Sequence, residues 1–255
     1  MRIFLTLLSA VLSFGISLGY CTTTQDQSSR YPVPVALSSF VNIDVEQNLS
    51  DDASNINLSI NVDKTAISIQ QDSKICRLDG EGIIGRVGYP DLPAIVRWVR
   101  VPDEGRVELN VQVNDVLRVD GSAPAPFVDQ DEDGNVFTVL SQPQLEGLYP
   151  PQVAEISQPV IMRGVRMVKL TVYPVQWDFD NSQYVQNIGV NAEINVLDES
   201  GANEVESLVR RPSRDFDRLM DGMLVNPPNR DNPDQEYLPG GFVVVMDLNA
   251  PEEVY

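Results

Sequence analysis

Hydrophobic and polar residues alternate along much of the chain from Phe40 onward. The alternation is clearest in four segments, which are residues 41–45, 56–62, 107–113 and 188–196. Successive side chains of a β-strand point to opposite faces, so a period of two indicates antiparallel strands with one face on the core and the other in solvent. The last segment assigns Ile188 to the core face and Asn187 to the solvent face. The DFDNS cluster joins Val165–Trp177 to Tyr184–Val196, which predicts a hairpin. Because turn-forming clusters such as PDEG and DFDNS separate the segments, we predict an all-β fold, an antiparallel β-sandwich.

One segment, GYPDLPAIVRWVRVP from Gly88 to Pro102, is apolar on both faces of the predicted strand. A strand with two apolar faces lies in the middle of a sheet rather than at its edge. Arg97 and Arg100 interrupt the apolar run, so each must meet a carboxylate or extend to solvent. We expect these arginines to pair with acids of the sheet, and a role at a binding surface is the alternative.

The alternation stops after residue 196, and three different segments follow. In residues 213–224 the apolar side chains recur near helical spacing, and Ser213 is a candidate N-cap, which predicts a short helix. Residues 226–240 are rich in Pro, Asn and Asp and are predicted to be a linker. The continuous apolar run Phe242–Met246 is typical of a buried parallel strand. We expect residues 241–255 to be the start of a truncated α/β domain.

The beginning of the chain has the features of a secretory signal peptide. Residues 1–19 contain a basic residue near the start, an apolar run and small residues before Tyr20. We expect cleavage just before Tyr20, then a flexible leader over residues 20–38 and the sandwich over residues 39–225. Cys21 leaves lipidation as an alternative. The protein is therefore predicted to be exported, through the periplasm, to the cell surface or the medium.

Charge and composition argue against several functions for this chain, namely nucleic-acid binding, binding to an anionic membrane and catalysis. The chain has 18 basic and 37 acidic residues and a formal net charge of -19 at pH 7, which argues against nucleic acid or an anionic membrane as a partner. It contains no histidine, the usual general base beside a Ser or Cys nucleophile and a common zinc ligand. Cys21 and Cys76 either form a disulfide or stay free, and neither has a His partner. We therefore expect no catalytic residue and no cofactor in this chain, and we do not expect it to be an enzyme.

A candidate calcium site lies in the segment DQDEDGN. Asp129, Asp131 and Asp133 occupy alternate positions and Gly134 follows, as in the first half of a calcium-binding loop. The twelfth position is Leu140, where such a loop carries a bidentate Glu. The segment predicts weak calcium binding at most, and an acidic hairpin tip is the alternative.

Basic residues gather where the predicted sandwich meets the linker. They are Arg210, Arg211, Arg214, Arg218 and Arg230. Basic residues in an exposed connection are suited to proteolytic processing. The alternative is that these side chains only balance the local acids.

Two blocks of the sequence resemble the N-terminal pro-region of gingipain-type cysteine peptidases. One is the segment GYPDLPAIVRWVRVP, and the other runs from Leu148 to Val196. The matching residues are Gly88, Pro90, Leu92, Pro93, Tyr149, Arg163, Gly164, Tyr173, Pro174 and Val175. The resemblance covers residues 40–225, and the later YLPGGFVVVMD resembles the first strand of the family's peptidase domain.

The resemblance implies a β-rich prodomain that serves as inhibitor and folding aid for its own downstream peptidase domain. A loop of the prodomain would block the active-site cleft until a processing protease releases it, and the Cys/His dyad would belong to a longer parent protein. The connection 121–150, where the blocking loop is expected, contains no Lys or Arg, so Arg86 and Arg163 are alternative blocking residues. The competing function is a secreted or surface-displayed β-sandwich for binding or adhesion, with weak calcium binding.

Overall fold

The protein is represented by a computed structural model that describes four stretches of the chain. They are residues 39–49, 54–128, 146–205 and 213–228. The predicted signal peptide, the leader and the downstream strand at residues 241–255 lie outside these stretches, as does most of the predicted linker. The domain limits expected from the sequence therefore stay predictions.

Thirteen strands and one α-helix form within the described residues. In chain order the strands are β1 (Val41–Leu49), β2 (Ser54–Val62), β3 (Ile67–Gln70), β4 (Ile75–Leu78), β5 (Gly82–Ile83), β6 (Pro93–Arg100), β7 (Arg106–Asp120), β8 (Leu148–Tyr149), β9 (Ala154–Ile156), β10 (Val160–Met162), β11 (Val165–Val172), β12 (Val175–Asp178) and β13 (Gln183–Leu197). The helix, α1, spans Arg214–Met223, and a 3-10 turn at Lys64–Ala66 precedes β3. All pairings between these strands are antiparallel, as the sequence predicted.

The first sheet is built around β13, a strand of 15 residues. β7 pairs along one edge of β13, while β2 and β12 follow one another along the opposite edge. β1 pairs with the far side of β2, and β8 pairs with the far side of β12. All four alternating segments, residues 41–45, 56–62, 107–113 and 188–196, fall in strands, namely β1, β2, β7 and β13, which confirms those strands.

The second sheet has β6 and β11 at its centre. β9 and β10 follow one another along the other edge of β11, and β5 pairs with the first residues of β6. The segment after α1 adds to the same edge of β6 as β5 does, because Leu224 forms a bridge with Trp98. β6 has neighbours on both sides, so its prediction as a central strand is confirmed. The remaining strands, β3 and β4, form a separate hairpin.

The two sheets enclose a common hydrophobic core, and the predicted sandwich is thereby confirmed. Each sheet contributes inward-facing apolar side chains that are at most 1% exposed. These include Ile56, Leu58, Ile60, Ala192 and Ile194 from the first sheet, and Ile95, Val99, Val168 and Leu170 from the second. Full burial of one such Leu, Ile or Val side chain contributes about 1.5–3 kcal/mol, so this layer is a main source of stability.

The arginines of β6 have different environments. Arg97 forms a bidentate pair with Glu81, with Nη2–Oε1 and Nη1–Oε2 distances of 2.6 and 3.0 Å. Only 11% of the Arg97 side chain and 4% of the Glu81 side chain is exposed, so the predicted pairing with an acid is confirmed for Arg97. The backbone of Arg100 is held by Asn226, whose Oδ1 accepts from the Arg100 N–H at 2.7 Å. An acid partner for the Arg100 side chain stays a prediction.

The chain crosses from one sheet to the other at Tyr173 and Pro174. Sequence reasoning treated the segment from Val165 to Trp177 as one arm of a hairpin, and the structure corrects this. Proline has no N–H for a strand ladder, and β11 ends at Val172 in the second sheet, while β12 begins at Val175 in the first. The predicted hairpin is confirmed for its shorter part, β12 and β13.

Asn187 is buried, although the alternation assigns it to the solvent face. It is 2% exposed rather than in solvent, because the register of β13 against β7 shifts between Asn187 and Gly189. Such a β-bulge changes which face the residues on either side occupy. The buried amide of Asn187 is satisfied, since its Nδ2 donates to the Tyr173 carbonyl at 3.2 Å and to Gln176 Oε1 at 2.9 Å.

α1 packs on the outer face of the second sheet and confirms the predicted helix. Met220 is fully buried and belongs to one apolar cluster with Val165 and Met167 of β11. Ser213 takes the N-cap position with extended backbone, but its side chain makes no capping hydrogen bond. The C-terminal side of the helix leads directly into Leu224 at the edge of β6. Among the described residues, no helix has the length and apolar character that crossing a membrane requires.

Candidate functional site

The hairpin between β10 and β11 carries Arg163 at its tip. Met162 pairs with Val165, so Arg163 and Gly164 form a two-residue turn. Both turn residues have positive φ, 46° and 78°, as in the type I′ turns that suit the twist of paired strands. A non-glycine residue seldom adopts this conformation, and the surrounding strands hold Arg163 in it. The exposed guanidinium lies 5.0 Å from the centroid of the Phe216 ring on α1, within the range of a cation–π contact.

Arg166 fixes the base of this hairpin from inside the protein. The residue is 0% exposed, and its guanidinium donates hydrogen bonds to four backbone carbonyls. Nε donates to Asn203 O at 3.0 Å, Nη1 to Pro102 O at 2.9 Å, and Nη2 to Gly105 O and Ala202 O, each at 2.8 Å. One guanidinium therefore ties β11 to the loop before β7 and to the loop after β13.

Glu204 joins the same two loops from the other side. Its Oε1 accepts from the Gly201 N–H at 2.7 Å and from the Gly105 N–H at 3.0 Å. These backbone donors, and after them the charge of Arg166, lower the pKa of Glu204. Burial lowers the pKa of Arg166, while the carboxylates of Glu204 and Asp103 act in the opposite direction. We call Arg166, Glu204 and the loops they join the Arg166 clasp.

Arg86 belongs to an aromatic stack near the start of β6. Its guanidinium carbon lies 3.9 Å from the centroid of the Tyr89 ring, and the Tyr89 and Tyr149 rings stack with centroids 5.2 Å apart. The stack borders a cavity of about 470 Å³. Inside this cavity, Tyr173 donates a hydrogen bond from its hydroxyl to Glu155 at 2.7 Å. Burial, and then this bond, raises the pKa of Tyr173.

Comparison with known proteins decides the family. The family model Propeptide_C25 matches residues 43–200. The chain belongs to the C25 propeptide family. This membership confirms the resemblance to gingipain-type pro-regions.

The fold of this propeptide is similar to that of a solved gingipain structure. A complex of the pro- and mature domains of RgpB from Porphyromonas gingivalis is similar, with a TM-score of 0.56 and 17% identity over 72% of this chain and 98% of that chain. A structure that concerns the zymogenic latency of gingipain K from Porphyromonas gingivalis has a TM-score of 0.41 and 17% identity over 62% of this chain and 94% of that chain. Among curated proteins, none matches the chain.

The two candidate blocking arginines of the propeptide lie at opposite ends of the second sheet. The start of β6 pairs with β5, close to Arg86, whereas Arg100 at its end pairs with Met167, close to Arg163. A strand of eight residues spans about 26 Å at ~3.3 Å per residue. The structure therefore separates these candidates, and they cannot act together on one cleft residue.

The described residues do not include every predicted site. Asp129, Asp131 and Asp133, the candidate calcium ligands, lie outside them, as do the processing candidates Arg210, Arg211 and Arg230. Within the described stretches, no group of three or more His, Cys, Asp or Glu residues could hold a metal ion. The calcium-binding alternative therefore stays a prediction.

Two processing candidates lie on α1, namely Arg214 and Arg218. A protease cleaves an extended segment of chain, so a cut at either position requires the helix to unfold locally. The sequence does not distinguish the five basic residues as cleavage sites. Their helical conformation now sets Arg214 and Arg218 apart from the other three.

Cys76 is a free, buried thiol that belongs to a second apolar cluster. It is 0% exposed, and burial raises its pKa to about 12. A thiol nucleophile must be accessible and deprotonated. The expectation that Cys76 is not a nucleophile therefore agrees with its surroundings.

Proposed function

We propose that this propeptide is the inhibitory and folding-assisting pro-region of an exported, gingipain-like cysteine endopeptidase. It covers the active-site cleft of the peptidase domain of the same parent protein until proteolysis removes it. The observation that carries the proposal is the family match over residues 43–200, which spans most of the sandwich. The fold shared with the RgpB pro-domain, solved together with its mature domain, supports it.

In this proposal the propeptide binds and does not catalyse. The chain has no histidine, and burial raises the pKa of the Cys76 thiol to about 12. A preformed surface loses little conformational entropy when it binds. The Arg163 tip, held at its base by Arg166, is one such surface, and the Arg86 stack is another.

The direct test is a titration of the full chain against the peptidase domain of its parent. Hydrolysis of a panel of fluorogenic peptides reports activity, and we expect inhibition in the micromolar range or tighter. A parallel refolding experiment measures the yield of active peptidase with and without the chain, and we expect a higher yield with it. Absence of inhibition at a large molar excess would refute the proposal.

Two single variants separate the candidate blocking residues. Arg163→Ala and Arg86→Ala are compared with Arg106→Ala, a half-exposed arginine on β7. The variant that removes the blocking side chain should raise the inhibition constant by about tenfold or more, while Arg106→Ala leaves it unchanged. If neither candidate has an effect, the blocking element belongs to the connection 121–150 instead.

We further propose that activation cleavage occurs at Arg210, Arg211 or Arg230. The helical conformation of Arg214 and Arg218 supports this assignment, because both would need local unfolding before cleavage. Mass spectrometry of the fragments produced during activation identifies the cut. A first cleavage after Arg214 or Arg218 would contradict it.

A further inference from the structure

Three consecutive apolar residues are exposed on the edge strand β10. Val160, Ile161 and Met162 are 39%, 43% and 40% exposed. Within the described residues, β10 pairs with β11 alone. Soluble proteins usually protect an edge strand with charges, a bulge or a covering segment, and none of the three side chains is charged. Such an edge suits contact with another polypeptide.

The exposed edge continues onto α1. The register places Val160 opposite Met167 and Met162 opposite Val165, so both side chains share the face of the sheet on which α1 packs. At the tip, Arg163 reaches the Phe216 ring of the helix. One turn further along the same helix face, Leu219 is 38% exposed. We call the set formed by Val160, Met162, Arg163, Phe216 and Leu219 the β10–α1 surface.

The path of the chain indicates what covers this surface. After α1, the Val225 N–H donates to the Trp98 carbonyl at 3.0 Å, and Asn226 makes two hydrogen bonds to the backbone of Arg100. Val225 and Asn226 therefore lie at the end of β6 that is beside the β10–β11 tip. Any domain that follows is tethered close to the β10–α1 surface, which gives it a high effective concentration there.

We propose that the β10–α1 surface docks the peptidase domain of the same parent protein, in addition to the contact that blocks its cleft. Val160, Met162, Phe216 and Leu219 supply the apolar part of the contact. Arg163 lies at its polar rim and belongs to the docking surface whether or not it is also the residue that blocks the cleft. The inference rests on the proposed function, because it needs the propeptide to bind that domain. It assigns the docking contact to one edge of the second sheet.

Charge insertion tests the surface in the full chain. Met162→Lys and Leu219→Lys place an ammonium group in the apolar centre, and Leu117→Lys is the matched control because Leu117 is 41% exposed on β7 of the first sheet. Each surface variant should weaken inhibition of the parent's peptidase domain by about tenfold or more, and the control should leave it unchanged. Thermal melting checks that the three variants stay folded.

The outcomes separate the two proposals. If the wild-type chain does not inhibit, the proposed function fails, and this inference fails with it. If the wild-type chain inhibits and both surface variants inhibit equally well, only the docking surface is overturned. A wild-type dimer in light scattering that Met162→Lys dissociates, with inhibition unchanged, would assign the surface to a second copy and also overturn it.

Hydrogen exchange gives a readout that needs no variant. Addition of the peptidase domain to the full wild-type chain should protect the amides of residues 160–163 and 214–223 from exchange. The amides around Leu117 should exchange as before. Protection elsewhere, with none at β10 and α1, would overturn the assignment.

Discussion

Replacement of Arg166 by methionine should destabilise the propeptide more than replacement of any exposed arginine. Methionine keeps much of the buried volume but removes every donor of the guanidinium. The carbonyls of Pro102, Gly105, Ala202 and Asn203 then lose their partner together. A buried acceptor without a partner retains the cost of its desolvation.

The expected loss follows from the number of hydrogen bonds. Bonds from a charged donor contribute about 1.5–3 kcal/mol each, but removal of the buried charge also removes its own desolvation cost. The loop carbonyls can in addition recover some water after relaxation. Roughly 1 kcal/mol net for each bond gives a loss of about 4 kcal/mol. This is a large part of the ~5–15 kcal/mol that stabilises a typical domain.

Urea unfolding of the full chain measures this loss. The fluorescence of Trp98 and Trp177 follows the transition, and the linear extrapolation gives the free energy of unfolding. Arg106→Met is the control, because the Arg106 side chain is 48% exposed in its ion pair with Glu108 and should change stability by less than about 1 kcal/mol. Arg166→Lys should lie between wild type and Arg166→Met, since an ammonium group has fewer donors. An Arg166→Met variant as stable as the control would refute the reasoning.

Three further predictions concern buried groups elsewhere in the sandwich. Glu81→Leu leaves Arg97 nearly buried without its carboxylate and should cost about 3–5 kcal/mol in urea unfolding; the double variant with Arg97→Met should recover most of it, and two additive losses would contradict the pairing. Cys76 should resist iodoacetamide at pH 8 in the native chain and react in urea, because burial raises its pKa to about 12; peptide mapping distinguishes it from Cys21, and equal labelling in both states would contradict its burial. Burial also raises the pKa of Tyr184 to about 12, so its contribution to stability is complete below the unfolded pKa of about 10 and is lost as pH rises towards 12. Urea midpoints between pH 9 and 12 should therefore fall less steeply for Tyr184→Phe than for wild type, and parallel curves would contradict this.

The strands of the first sheet could be predicted because their environment repeats along the chain. β2 has its apolar residues on one face from Ile56 to Val62, and each of them is buried. β7 alternates in the same way over its first half. A strand with one face on a core and one in solvent has alternating apolar and polar residues, whichever strands it pairs with. The helix at α1 was predictable for the corresponding reason, since one of its faces packs on the sheet.

The local pattern failed where a residue depends on distant parts of the chain. Asn187 looked like a solvent-facing residue because the alternation carries no sign of a bulge. The switch between sheets at Pro174 was likewise hidden, since both flanking segments are apolar. Arg166 was missed altogether, and its carbonyl partners lie between 36 and 64 residues away in sequence. The available signal was an arginine inside a mostly apolar strand, which indicates a buried partner but does not identify it.

In the candidate site, too, the residues could be predicted from the local sequence, but their positions relative to one another could not. Arg86 and Arg163 could be named from sequence, but their separation to opposite ends of the second sheet depends on the pairing of β6 with β11. At the Arg163 end, Val101 donates its N–H to the Arg166 carbonyl at 3.0 Å, while Asn226 is bonded to the neighbouring Arg100. The β10–β11 hairpin and the segment after α1 are thus both hydrogen-bonded to neighbouring residues at the end of β6. In the proposed docking, a domain that follows Asn226 in the chain would be tethered near this tip, which raises its effective concentration there, and the Arg166 clasp would hold the hairpin that carries Arg163 in place.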